Sequence, residues 1–417
     1  MGEIVELAIG NYEFLSCKNT FGDLLSIFSK EDLRIENEYD EEMGEDITRR
    51  YFRTTVGKAK MCLNVMGHTI SKARSLFDYH KNSYIDYLEE CPDDEVDIAT
   101  VEAEYIFENW VQAVKKYSVI LASDIYEEGD YKSLKKCREQ KNSTCEKMVL
   151  ESLPYWKDDT YFGIDFNYLD NEIGSPWDVF RIILEAFDAE EVITLDYTNL
   201  FDGGWCDEVP EEKEYSVSKI VILTEGSTDA RVISDAMKLL YPHMVKYYSF
   251  IDFSTYVVQG STNYLTHYLK AFIAAGIENR IIALYDNDSA GLSEIELLKS
   301  IPIPENVRIM HLPDLELCNQ YPTIGPTGKS LDNINGRACS IEMFLGKDIL
   351  KENGQYEAIR WKSYIDKVDA YQGEIVSKSG VLKKFEKKIK RSQKQLILEE
   401  WEECDLLLNQ IFTAFEK

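Results

Sequence analysis

The sequence predicts two differently built halves. The first is an α+β N-terminal domain, mostly helical; the second is an α/β domain with a parallel sheet, followed by a helical C-terminal tail. Charge is one reason. Residues 1–216 hold 48 acidic and 22 basic side chains and residues 217–417 hold 27 and 24, so nets of -26 and -3 make up the total of -29. Rhythm is the second: long stretches of helical period give way after residue 217 to short apolar runs alternating with helical segments. The third is a polar joint, VPEEKEYSVS, at 209–218. Three segments are therefore expected: 1–210, 217–345 and a helical extension over 346–417.

Composition narrows the classes. At 44% apolar residues over 417 positions, the chain can bury a sizeable core, which excludes global disorder. The acidic balance excludes a basic coat, and any polyanion is expected to meet the second half. The nine cysteines are scattered without CxxC spacing, so a zinc ribbon is not expected. The opening residues lack a signal-peptide pattern, Glu6 breaks a myristoylation motif, and no apolar run approaches about 18 residues. A cytoplasmic, membrane-free protein is expected.

Ile4–Ser16 alternates around Gly10-Asn11 and predicts a hairpin, with a short helix near 21–28. The acidic stretch 31–47 reads as a loop. Thr48–Leu88 reads as helical, with Met61, Val65, Met66, Ile70 and Leu76 inward. A second helix is expected from about Val96 to Ile125, a third from Tyr131, another over 177–187, and a strand at 192–196. In the second half, Lys219–Leu223 is a β-branched run suited to a strand buried on both faces. Strands at 247–253, 280–285 and 307–310 follow, separated by helices at 228–240, 263–275 and after Ala290. Thr323–Ser330 imitates the end of a P-loop, but lacks the first glycine and a preceding strand, so a flexible loop is expected.

Two acidic motifs stand just past two of these strands, where α/β sheets place their functional crevice. The first is Thr224-Glu225-Gly226-Ser227-Thr228-Asp229; about 60 residues later comes Asp286-Asn287-Asp288-Ser289-Ala290-Gly291. Hard carboxylate oxygens at this spacing suit Mg²⁺ or Mn²⁺. Gly226 and Gly291 are expected to permit close backbone approach. A lone DxD is most often a solvated turn; the pair of motifs, each between a strand and a helix, favours a metal site.

VILTEGSTD (221–229) and IIALYDNDSAG (281–291) resemble the Toprim domain, a Rossmann-like fold shared by topoisomerases, bacterial primases and OLD-family nucleases. The resemblance spans about 120 residues. It implies Glu225 as acid/base or metal ligand and Asp286 and Asp288 as metal ligands. An acid four residues after the glutamate is similar to the nuclease branch and adds Asp229. Ser340-Ile-Glu342-Met-Phe344 resembles a late acidic motif and adds Glu342, and Lys378 resembles a late lysine that neutralises phosphate charge. EIVELAIGNYEFLSCKN and LDYTNLFDGGW are similar to HEPN/Toprim-associated proteins of prokaryotic defence, which extends the resemblance over nearly the whole chain.

The implied function is metal-dependent phosphodiester cleavage of DNA or RNA in an anti-phage setting. Two alternatives stay open: a non-catalytic regulatory or assembly subunit, working with a partner ATPase or another defence subunit, and a HEPN-type RNase. For the last, Arg74 and His80 lie on one helix at a suggestive spacing, although such pairs are common. Lys378–Lys394 holds eight basic residues against Glu386 alone. Lys383, Lys384, Lys387, Lys388, Lys390 and Arg391 are expected to form a basic helical stripe for nucleic acid. Gln395–Phe415 reads as an amphipathic helix that packs on the core or on a partner. Substrate, trigger, one metal or two, and self-association stay open.

Overall fold

A computed structural model of the chain describes residues 2–40, 44–91, 97–152, 176–211, 217–251 and 260–416. Val96, linker positions 212–216 and the last two positions of the expected 247–253 strand lie outside the described residues. The chain forms two units, Met1–Val217 with Glu416–Lys417, and Ser218–Phe415.

The first unit is built on a five-stranded antiparallel sheet. Its elements are β1 (Ile4–Ile9), β2 (Tyr12–Lys18), β3 (Leu33–Asp40), β4 (Glu45–Thr55), α1 (Val56–Met66), α2 (Ile70–Glu90), α3 (Ile98–Glu104), α4 (Phe107–Ser123), a small hairpin β5 (Tyr126–Glu127) and β6 (Asp130–Tyr131), α5 (Lys132–Arg138), α6 (Thr144–Ser152), α7 (Pro176–Ile183), β7 (Val192–Asp196) and α8 (Thr198–Asp202). The sheet order is β2-β1-β7-β4-β3. The β1–β2 hairpin and β7 form as the alternation predicts.

The acidic stretch 31–47 is a correction: it supplies β3 and the start of β4, paired from Leu33↔Phe52 to Asp40↔Glu45. Thr48–Thr55 continues β4 rather than opening a helix; Thr48, Tyr51, Phe52, Thr54 and Thr55 are β-branched or aromatic and favour the pleated form. The helical stretch then splits at Gly67, which takes φ +97 as the C-cap of α1. Of the five inward positions expected there, only Val65 is fully buried; Ala59, Cys62, Leu63, Ala73 and Phe77 line the interior instead. The expected helix up to Ile125 is two helices, interrupted at Tyr105-Ile106.

The second unit opens with a four-stranded parallel sheet. Its elements are β8 (Ile220–Thr224), α9 (Ser227–Leu240), β9 (Tyr248–Phe250), α10 (Thr262–Ala274), β10 (Ile281–Tyr285), β11 (Asn287–Asp288), α11 (Ser289–Leu298) and β12 (Val307–His311). The order is β12-β10-β8-β9, and every pairing is parallel. All five residues of β10 are buried; Ile281, Ala283 and Tyr285 share a core with Leu223, Leu265, Leu269, Leu298 and Val307, and Ile282 and Leu284 face the other side of the sheet. Burial on both faces explains why β8 and β10 read as unbroken apolar runs.

The chain then forms a mixed sheet that the sequence reading did not foresee. Its further elements are β13 (Tyr321–Gly325), β14 (Gly328–Asp332), β15 (Ala338–Cys339), a small hairpin β16 (Lys351–Glu352) and β17 (Gln355–Tyr356), β18 (Ile359–Ile365), β19 (Ala370–Ile375), α12 (Lys378–Ser392) and α13 (Glu402–Phe412). The sheet order is β14-β13-β18-β19. The segment expected as a flexible loop at 323–330 is the β13–β14 hairpin, in register from Tyr321↔Asp332 to Gly325↔Gly328. In the tail, helix α13 begins only at Glu402, and Leu396 and Ile397 are exposed. Phe412 packs edge-on to Tyr241 at 5.1 Å, which seats this tail on the parallel-sheet unit.

Lys388 is the other correction. It is 3% exposed, donates to Leu345 O at 2.9 Å and Glu400 O at 2.5 Å, and pairs with Asp348 at 2.7 Å. Its ammonium lies over the Trp401 ring. This lysine fastens the tail and cannot meet a solvent-borne phosphate. Among the described residues, no helix is long and apolar enough to cross a membrane.

Candidate functional site

The parallel sheet reverses its winding between β8 and β10. From β8 the chain moves to β9 on one side, then returns across β8 to β10 and β12 on the other. A crevice opens at such a switch point, beyond the carboxyl ends of the strands. Glu225 follows β8 directly and Asp286 follows β10, so both motifs stand at the two lips of this crevice.

Each acid is placed by its own local chemistry. Glu225 Oε1 accepts from the Asp286 N–H at 3.0 Å, and Oε2 accepts from Thr262 Oγ1 at 2.6 Å, at the start of α10. Asp229 lies in the first turn of α9 and accepts from the Gly226 N–H at 3.0 Å. Asp288 caps α11 by accepting from the Gly291 N–H at 2.8 Å, and its other oxygen accepts from Gln372 Nε2. Asn287, between the two aspartates, points away: it donates to Asp314 at 2.7 Å and accepts from the Gly336 N–H at 2.9 Å. Gly291 is required, because a Cβ there would stand 2.3 Å from the Asp286 carbonyl oxygen. Gly226 is not: a Cβ would meet only Asp229, at 4.0 Å.

The late residues join this group. Glu342 is fully buried, accepts from Ser340 Oγ at 2.6 Å and pairs with Lys378 Nζ at 2.9 Å. Half of the Lys378 side chain, 51%, is open to solvent at the start of α12. Five carboxylates and one ammonium thus belong to one neighbourhood, gathered from positions 225 to 378.

Electrostatics ties them together. Burial, reinforced by the charges of Asp288 and Asp229, pushes Glu225 up to about 7 despite the hydrogen bonds from Thr262 and Asp286. Burial and then Glu342 push Asp229 up to about 6, with Lys378 opposing. Asp286 is raised well above the carboxylate range by burial and by Glu225, Asp229, Asp288 and Glu342 together. Burial also raises Asp288, against the Gly291 and Gln372 hydrogen bonds. Burial lowers Lys378, but the charge and hydrogen bond of Glu342, together with the charges of Asp286 and Asp229, outweigh it and the net direction is up.

Crowded, half-desolvated carboxylates either bind protons or are compensated by a cation. The donor set is all hard oxygen, which fits Mg²⁺ or Mn²⁺ in chemistry. Among the described residues, no three His, Cys, Asp or Glu side chains are gathered about one point closely enough to hold a cation as they stand. Four of the five, Glu225, Asp229, Asp288 and Glu342, are instead turned to protein donors: Thr262, the Asp286, Gly226 and Gly291 amides, Gln372, Ser340 or Lys378.

Arg74 and His80 are not brought together. Six residues of helix separate them by roughly 120° around the axis. Arg74 is on the surface, paired with Glu108 at 2.6 Å and lying over Phe107. His80 is 3% exposed, and burial lowers its pKa. The basic stripe is thinned as well. Besides Lys388, Lys384 pairs with Glu352 at 2.8 Å and Arg391 pairs with Glu400 and Asp348. Lys383, Lys387 and Lys390 keep exposed positions on α12.

Thr262, Asn287 and Gln372 were missed by the sequence reading. Ser261, the N-cap of α10, is a helix-start signal that could have marked Thr262, while nothing around Gln372 marks it.

Fold and site together define a two-unit protein: an antiparallel α+β unit, then an α/β unit with an acidic crevice at its switch point. Residues 1–219 match the family model of HEPN/Toprim N-terminal domain 1. The chain belongs to that family. No curated protein and no solved structure matches it significantly.

Proposed function

We propose that the protein is a nuclease, with a Toprim-like second unit that hydrolyses phosphodiester bonds in DNA or RNA with Mg²⁺ or Mn²⁺, as the effector of a prokaryotic anti-phage system. The observation that carries this reading is the convergence of Glu225, Asp229, Asp286, Asp288 and Glu342 on one switch-point crevice beside Lys378. The family's name, which couples HEPN and Toprim, supports a nuclease-associated role; the defence setting rests on the sequence resemblance alone.

Asp286, Asp288 and Glu225, with Asp229 and Glu342 beside them, would hold a divalent cation, which when bound would supply Lewis-acid polarisation of the scissile phosphate. Where Glu225 does not itself hold the cation, it is the carboxylate placed at the lip of the crevice to take the proton of an attacking water. Lys378 presents a cation to the charge that builds on phosphate oxygens. The buried Glu342 holds that ammonium at the crevice by their 2.9 Å pairing.

The purified full chain should cut plasmid, linear DNA or RNA when given Mg²⁺ or Mn²⁺, and excess EDTA should stop it. Cleavage that persists in EDTA would overturn the metal reading. Loss of RNA cleavage on Arg74→Ala with His80→Ala, with the crevice intact, would move the chemistry to the first unit. Absence of cleavage on every substrate, with normal cation binding, would favour a regulatory or assembly subunit.

Substrate capture gives a second test. Reversing Lys383, Lys387 and Lys390 to Glu should weaken binding to a cleavage-dead chain. Each lost phosphate contact should flatten the log–log salt dependence by about 0.7–0.9. Lys388→Ala should instead cost roughly 1–3 kcal/mol of stability, because it leaves the Leu345 and Glu400 carbonyls without their buried donor and Asp348 with Arg391 alone, at 3.7 Å. Unchanged affinity and slope in the triple variant would make this face of α12 a solvated surface.

A further inference from the structure

The crevice has a wall supplied by the wrong sheet. β19 belongs to the mixed sheet, yet it reaches the Asp288 turn. Gln372 donates from Nε2 to Asp288 Oδ2 and accepts at Oε1 from the Ala290 N–H, at 3.0 Å. The neighbouring Tyr371 carbonyl accepts from Ser289 Oγ at 3.1 Å.

The two ends of the Gln372 amide do different work. A reversed amide would set its NH₂ against an N–H and its oxygen against a carboxylate, so the Ala290 N–H fixes which end faces Asp288. Asp288 Oδ1 is already engaged by the Gly291 N–H. With Oδ2 held by Gln372, both oxygens are tethered and the carboxylate plane cannot rotate freely. Each oxygen still has lone-pair capacity, aimed in a fixed direction.

We propose that Gln372 is a positioning residue: it sets the plane of the Asp288 carboxylate for a divalent cation taken up in the crevice. This inference rests on the metal-binding reading above. Groups that orient ligating carboxylates typically change metal affinity by about 10–100-fold when removed. The competing explanation is that β19 merely braces the backbone turn. Ser289 separates the two, because its hydrogen bond braces the same turn without touching Asp288.

The test is Mn²⁺ titration by calorimetry on the full chain at pH 8, with the thermal midpoint of each variant. Gln372→Met should weaken Mn²⁺ binding about 10-fold, while Ser289→Ala should stay within about twofold of wild type. Gln372→Asn keeps the amide but is one methylene too short to span Asp288 and Ala290, so it should follow Gln372→Met. It also carries the test if the Met variant does not fold. Equal losses in Ser289→Ala and Gln372→Met, or wild-type affinity in Gln372→Asn, would overturn the proposal. Wild-type protein that takes up no Mn²⁺ would reject the metal reading and this inference together. Binding by wild type that is matched by both Gln372 variants would reject this inference alone.

Discussion

Asp286→Asn should abolish metal-dependent cleavage, by about 10³-fold or more, without unfolding the protein. The cation's polarisation of the phosphate contributes several kcal/mol to the barrier, and about 4 kcal/mol is a factor near 10³. Burial and the charges of Glu225, Asp229, Asp288 and Glu342 all disfavour the ionised form of Asp286 in the metal-free chain, so a neutral amide of the same size is expected to be tolerated there. Asp288 needs a more careful substitution. It caps α11 through the Gly291 N–H, and Asp288→Ala would lose that cap at a cost of about 1 kcal/mol. Asp288→Asn retains an acceptor oxygen and separates the chemistry from the fold. Cleavage rates and thermal midpoints, measured on the same preparations, check both parts. Full activity in the Asp286→Asn, Asp288→Asn double variant would end the assignment of these residues.

Metal-free protein should become less stable as pH rises from 5 to 8, opposite to a protein dominated by salt-bridged carboxylates. Glu225 is raised from 4.5 to about 7 and Asp229 from 3.8 to about 6. Between the unfolded and folded values, the folded state holds protons that the unfolded chain has released. Stability therefore falls with pH through that window, and it is retained below the unfolded values. For Glu225 alone the change is about 3 kcal/mol. In EDTA the thermal midpoint should be higher at pH 5.5 than at pH 8. Mn²⁺ at pH 8 should restore it, because a cation takes the place of the protons, and Glu225→Gln should flatten the slope. A midpoint that climbs steadily toward pH 8 in EDTA, with the same slope in Glu225→Gln, would contradict the raised values.

What could be read from the chain follows from burial. β8 and β10 lie inside a doubly covered sheet, so their apolar runs leave no ambiguity, and the two motifs at their ends were visible for that reason. β3 was not. Leu33, Ile35 and Tyr39 do alternate with charges, but Ile35 is 42% and Tyr39 64% exposed. An edge strand with both faces partly wet looks, by composition, like an acidic loop. β18, IRWKSYI, is hidden in the same way, with most of its residues outside the core. Lys388 shows a further limit: within a run of lysines, helical periodicity could not single out the one that turns inward. Gln372 meets Asp288 across 84 positions of chain. No local pattern encodes such a partnership, which exists only once two sheets have folded.

That distance has a consequence for how the crevice comes into being. Its acids arrive in sequence at 225, 229, 286, 288 and 342, while the amide and the ammonium that complete it come at 372 and 378. Loop-closure entropy must be met before such remote groups reward it. During synthesis, a ribosome would expose the carboxylates well before it released the strand and helix that orient and neutralise them. A chain that stops short of position 372 would therefore hold the carboxylates without the amide that tethers Asp288 and the ammonium that pairs with Glu342.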